Sequence, residues 1–165
     1  MFSTSKIKYK FVLGSQSQIN LQKEEKMSAQ PLSTSAVESA VLDKPIESVW
    51  SKIHSLDFSW WNLVASSQIV EGGVFLPTVS ITFKDDTVWV VRVLELSEMK
   101  KSLVFELITC TPEAHVASVV HSISLKKITA TNGTYIEWAT DFSSDVTSQI
   151  ILDSSLKRLE AFQSI

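Results

Sequence analysis

Four side chains in this sequence have the chemistry to act on a substrate or hold a metal: His54, His115, His121 and Cys110. Metal binding needs ligands that converge. The three histidines fall on a predicted helix, a loop and a strand, without H-x-x-x-H or related spacing, so no metal centre is expected. Cys110 would need a positioned histidine and an electropositive setting to become a nucleophile, and alternation along its strand places it on the outward row. As the sole cysteine it also excludes a disulfide framework and a Cys-based zinc site. There is no G-x-S-x-G elbow, P-loop or dinucleotide fingerprint, and no cofactor is implied. His121 remains: an imidazole with its ordinary pKa of about 6.5 can transfer protons if it faces an apolar cavity. The commoner fate of such a residue is a core histidine bonded to a neighbour. His115, on the preceding loop, reads as solvated.

The elements that must position these groups follow from periodicity. Residues 35–42 (SAVESAVL) read as a strand, stopped by Asp43-Lys44-Pro45, which also suits the start of a helix. Ile46, Val49, Trp50 and Ile53 then form the stripe of a helix with one buried face, leaving Glu47, Ser51 and His54 outside. Residues 58–64 (FSWWNLV) predict a second short helix packed through Trp60 or Trp61. From 65 to 143 the period becomes two. Turn signals at Gly72-Gly73, Asp85-Asp86, residues 99–102, Pro112 and Asn132-Gly133 divide that stretch into strands at 67–71, 79–84, 87–96, 103–110, 116–128 and 134–142. Residues 146–165 return to helical spacing, with Ile151, Leu152, Ser155, Leu156, Leu159 and Phe162 as the buried stripe, Arg158 outside it, and Asp145 as N-cap. The sum is an α+β domain: about seven antiparallel strands in a curved sheet around a long C-terminal helix, with two short helices after the first strand.

Composition agrees with one such domain. The chain has 165 residues, 44% hydrophobic and 20% charged, the balance of an ordinary globular protein. Its first 27 residues carry five lysines against two glutamates; the rest carries ten basic against sixteen acidic residues. That body lacks the concentrated positive face that phosphate backbones require, which argues against a nucleic-acid partner. No run of about 18 apolar residues exists to cross a membrane as a helix. Residues 1–34 are expected to be a disordered extension ahead of a domain at 35–165. Lys6, Lys8 and Lys10 among apolar residues resemble a mitochondrial targeting peptide over residues 1–26, although that stretch has no arginine; otherwise a cytoplasmic monomer is expected. Asn132-Gly133-Thr134 fits a glycosylation sequon that only a secreted chain could use.

The order of elements, together with Asp43-Lys44-Pro45 and Val49-Trp50, Trp60-Trp61, Val70-Glu71-Gly72, Thr111-Pro112-Glu113 and Ile136-Glu137-Trp138, resembles the START and birch-pollen-allergen superfamily, which includes polyketide cyclase and dehydrase-like proteins. The resemblance implies a helix-grip fold whose sheet and C-terminal helix enclose an apolar cavity for lipids, sterols, hormones or polyketides. Where many relatives have a Gly-x-x-Arg phrase with the arginine in the cavity, this sequence reads FLPTVSI at 75–81. A buried guanidinium anchor is therefore not expected from that strand.

Strand alternation then chooses the lining. Leu103, Phe105, Leu107 and Thr109 face inward on one strand, and Ala117, Val119, His121, Ile123 and Leu125 on the next. The last strand contributes Ile136, Trp138, Thr140 and Phe142. In the strand at 87–96 both rows are apolar: Trp89, Val91 and Val93 are favoured inside, which keeps Arg92 outside, while the opposite register would place Leu94 and Leu96 within. The candidate ligand-binding set is Trp61, Trp89, Val91, Phe105, Leu107, His121, Trp138, Thr140, Leu156 and Leu159, with the loops at 84–87 and 111–115 as the mouth. The reading is a binding protein for a small hydrophobic molecule. A cyclase or dehydratase-like enzyme using His121 for proton transfer, and a protein-interaction module of the same fold, are the alternatives.

Overall fold

The computed structural model describes residues 31, 33–71 and 77–165. The expectations for the N-terminal extension and its targeting segment lie almost wholly outside these residues, as does the glycine loop at 72–76. The described chain runs β1 (Ser35–Leu42), α1 (Ile46–His54), one 3-10 turn (Phe58–Trp60), β2 (Val64–Glu71), β3 (Thr78–Phe83), β4 (Val88–Ser97), β5 (Ser102–Thr111), β6 (Val119–Ile128), β7 (Gly133–Phe142) and α2 (Ser148–Ser164). The strands form one antiparallel sheet in the order β1-β7-β6-β5-β4-β3-β2. Since β1 and β2 lie at opposite edges, α1 and the 3-10 turn carry the chain from one edge to the other.

The second predicted helix is only this single turn. Asp57 caps it by accepting from the Ser59 N–H at 3.0 Å, and Trp61 leaves it extended with φ −84° and ψ 118°. By Val64 the chain already pairs with Phe83. Joining the ladder buries these aromatic and β-branched residues on a pleated surface, which outweighs a longer helix.

Inward and outward residues alternate along β3, β6 and β7 as period two requires. The core holds Val49, Trp50 and Ile53 of α1 together with the inward rows of β3 to β7 and Ala161, Phe162 and Ile165 at the chain's end. Gly133 is needed where β7 starts beside β1: a Cβ there would sit 2.8 Å from the Leu42 carbonyl oxygen. Asp86 and Lys101 take left-handed backbone, with φ of 66° and 52°, at the β3–β4 and β4–β5 turns.

Two irregularities shape the region that matters for function. The β5–β6 ladder covers only Ser102 to Glu106 against Ser124 to Val120. Past it, β5 remains with β4 and β6 with β7, so the sheet splits and the loop before β6 occupies the gap. Within β5, Leu107 pairs with Val91 but Thr109 with Val90, so one extra residue, Ile108, bulges. A bulge reverses the alternation beyond it. Thr109, predicted inside, is exposed, and Cys110, predicted outside, turns in.

The terminal helix also differs from expectation. Its N-cap is Thr147, which accepts from the Ile150 N–H. Asp145 instead accepts from the Ala117 N–H at 2.9 Å and from the Ser143 hydroxyl at 2.5 Å, tying the loop before β6 to the end of β7. The buried residues of α2 are Arg158, Ala161 and Phe162. Leu156 and Leu159, predicted to line the ligand site, are 57% and 40% exposed, and Leu152 is exposed beside them. The helix is turned by about one residue, roughly 100°, from the predicted setting. Packed indoles already occupy the space that three leucines would need. Ser154, Ser155 and Ala161 are small enough for close approach, and the hydroxyls of the first two give Arg158 partners.

Candidate ligand-binding site

Six aromatic rings pack together between sheet and helix. Trp61 meets Phe83 edge-on with centroids 5.2 Å apart and Trp138 at 5.5 Å. Phe58 meets Phe105 edge-on at 5.7 Å, and Phe83 meets Trp89 at 4.9 Å. Such tilted pairs add about 0.5–1.5 kcal/mol each beyond area burial. Trp61, Val91, Phe105 and Trp138 are therefore core, enclosed on all sides. The apolar cavity expected between sheet and helix lies toward one end of that space.

That end is a cavity of about 250 Å3 between the first turns of α2 and the split in the sheet. Trp89, Leu107 and His121 of the predicted set line it, along with Cys110, Val119, Phe142 and Ile150. Thr87 stands at its rim from one turn, Ala114 and Val116 from the loop before β6, and Asp153, Ser154 and Lys157 from the helix. Leu107, Cys110, Ala114, Val116 and Val119 also line a second recess between β5 and that loop, of about 330 Å3. The Lys157 ammonium lies 4.7 Å from the Phe83 ring centroid and 5.2 Å from that of Trp89, so it covers the aromatic cluster as a cation–π partner. Cys110 has its thiol pKa raised by burial, with Lys157 opposing the shift. It is poorly set up as a nucleophile at neutral pH.

Behind His121 and Ser154, which line the cavity, runs a chain of buried polar side chains. Arg158, 1% exposed, donates from Nη1 to the Thr140 hydroxyl at 2.7 Å and to Ser154 at 2.6 Å, and from Nη2 to Ser155 at 3.0 Å. Its charge faces Glu38 Oε1 at 3.8 Å. Burial lowers the guanidinium's pKa and Glu38 works against that, but a guanidinium stays charged in proteins. Thr140 lies 2.9 Å from His121 Nδ1, and Trp138 Nε1 donates to the same nitrogen at 3.2 Å. The imidazole stacks with Phe105 and with Trp89, at centroid distances of 4.9 and 5.7 Å. Burial, and then the nearby Arg158 charge, pull its pKa from 6.5 to about 3. It is neutral at any physiological pH.

Arg158, Ser154 and Lys157 were not among the sequence candidates. The available signal was the second stripe of α2, offset by one residue, but its polar members look like a solvent face until the sheet's polar groups are in place. Among the described residues no group of three or more His, Cys, Asp or Glu side chains is placed to hold a metal ion, and no helix is long and apolar enough to cross a membrane.

No protein-family profile matches the chain, and no curated protein sequence matches it. Solved structures do. A protein of Nitrosospira multiformis superposes with a TM-score of 0.67 at 20% identity, over 79% of this chain and 92% of that one. The Zhui aromatase/cyclase of a Streptomyces species gives 0.63 at 11% identity, over 79% and 89%. The birch-pollen-allergen-like protein Ara h 8.0201 gives 0.65 at 14% identity, over 79% and 92%. The chain shares the helix-grip fold of these structures: a seven-stranded antiparallel sheet against a C-terminal helix. At these identities the likeness concerns the fold, and such folds host many chemistries. In this helix-grip domain the space between grip and helix is divided: aromatic core at one end, open cavity with a histidine in its wall at the other.

Proposed function

We propose that the protein binds a small, flat, hydrophobic molecule in the cavity beside His121. The observation that carries this reading is the apolar hollow itself, open between α2 and the split sheet. A dry cavity of roughly 150 Å3 accepts benzene, and drug-sized ligands occupy about 300–1,000 Å3. A space of about 250 Å3 therefore suits a molecule of about two fused rings better than a sterol or a lipid chain. Desolvation of its apolar surface, at about 25 cal/mol per Å2 before association costs, would supply most of the affinity.

The proton-carrying role weighed for His121 fits this setting poorly. A general acid or base works best with a pKa near the operating pH, and that of His121 lies at about 3. Cyclase-like chemistry would need other proton carriers, and the groups nearest the cavity are Asp153 and Lys157 at its rim.

Cys110 gives the test, since the chain's only cysteine lines the cavity. Its alkylation by iodoacetamide at pH 9 is measured with and without saturating bicyclic aromatics such as naphthalene, tetralin and 1-tetralone. Slowing by at least one compound in the native protein, lost when Val116→Trp fills the space, supports the reading. Unchanged rates with all of them, together with no bound molecule in native mass spectra, overturn it.

A further inference from the structure

His121 is the single imidazole in the cavity wall, and its surroundings decide which of its nitrogens carries the proton. Trp138 Nε1 is a donor only, so Nδ1, 3.2 Å away, must accept. The Thr140 oxygen receives the Arg158 N–H at 2.7 Å, which leaves the threonine's own hydrogen free to point at the same Nδ1, 2.9 Å distant. A proton on Nδ1 would set two N–H groups against each other and strand the tryptophan donor in the core. The proton therefore resides on Nε2. Phe105 and Trp89 both stack on the ring. Nε2 has no hydrogen-bond partner among the described residues, yet it is absent from the fully enclosed, unpartnered nitrogens, which are Trp61 Nε1 and Arg158 Nε. The atom is reached from the cavity.

Resting on the binding reading above, we infer that His121 Nε2–H is a fixed hydrogen-bond donor aimed into the cavity, and that it selects bicyclic ligands carrying a neutral carbonyl oxygen. One N–H in an apolar wall satisfies one acceptor. A carboxylate seated against Nε2–H, away from the Lys157 ammonium at the rim, would bring more lone pairs than this part of the wall can serve and would lose its hydration. An ammonium would face another donor, with the Arg158 charge behind it, and a hydroxyl that accepted from Nε2–H would leave its own hydrogen facing apolar wall. The relay from Arg158 through Thr140 thus has a role beyond packing: it holds the histidine in the tautomer that can read a carbonyl.

The test uses the full chain, 15N-labelled, and two probes of nearly one shape, 1-tetralone and tetralin, which lacks the carbonyl. Long-range 1H–15N correlation of the imidazole rings should give the Nε2–H pattern for His121. The ketone should bind about fivefold more tightly than the hydrocarbon, within the roughly two- to tenfold range of one net hydrogen bond, and should move the Nε2 resonance while tetralin leaves it in place. His121→Phe should equalise the two affinities; should that variant fail to fold, the comparison in the unaltered protein decides. An Nδ1–H pattern, or equal affinities for the two probes in the unaltered protein, overturns the selectivity and leaves the cavity reading intact. Failure of both probes to bind, with Cys110 alkylation unslowed by any bicycle, overturns the cavity reading and this inference with it.

Discussion

Arg158 reaches from the buried face of α2 to the hydroxyl of Thr140 on β7, 2.7 Å away, and that contact holds the terminal helix to the sheet through a charge enclosed on all sides. Removing it should expose how the burial is balanced. Arg158→Ala leaves a void and strands Thr140, Ser154 and Glu38 facing it, and should cost about 3 kcal/mol. Arg158→Met fills the space with a flexible apolar chain that needs no partner, and should cost about 1 kcal/mol. Urea denaturation reads both; equal losses would mean that charge, not packing, dominates the site.

The orientation of α2 is open to a direct comparison. Leu156 lies on the exposed face and Phe162 on the buried one. Leu156→Gln should shift stability by less than about 0.5 kcal/mol, whereas Phe162→Ala should remove roughly 3–4 kcal/mol. A large loss from Leu156→Gln in thermal or urea unfolding would return the helix to the setting that periodicity predicts.

The pH dependence of stability should carry the signature of His121. Its pKa is about 3 in the folded chain and about 6.5 unfolded, so between these values the unfolded state alone binds the proton. Stability is then fully present above about pH 6.5 and falls as pH drops toward 3, by about 1.4 kcal/mol per unit once well below 6.5. This one group should make the protein roughly 2 kcal/mol less stable at pH 5 than at pH 8. The slope measured in urea melts from pH 8 to 5 should flatten by that amount in His121→Phe, and an unchanged slope would show that the imidazole is protonated in place.

Gly133 is expected to tolerate nothing larger. A methyl group there would meet the Leu42 carbonyl oxygen at 2.8 Å, a backbone atom that cannot turn aside. Gly133→Ala should part the start of β7 from the end of β1 and cost about 1–3 kcal/mol in thermal melts. Amide exchange should quicken at Leu42 and Thr134, which pair across that point, while the β5–β6 ladder stays protected.

The sequence by itself determined an antiparallel meander and its succession of strands, because period two repeats through six runs punctuated by turn residues, and the stripe of α1 admits one buried face; that β1 pairs with β7 came from the structure. It also placed Trp89, Val91, Phe105, His121 and Trp138 on inward rows. Those assignments are local, since choosing one residue of a strand chooses the face for all its neighbours until a bulge intervenes. The structure alone decided what depends on distant parts of the chain. Ile108 bulges because β4 and β5 must also satisfy their pairing elsewhere, and that exchanges Thr109 for Cys110 at the cavity. The terminal helix buries a stripe one residue away from its more apolar one, and that stripe contains Arg158 and two serines, so periodicity favoured the other. The choice fell to the volume left by the packed indoles and to the polar partners waiting for Arg158. How much of the interior stays open follows from the same three-dimensional fit of rings, and no spacing in the sequence encodes it.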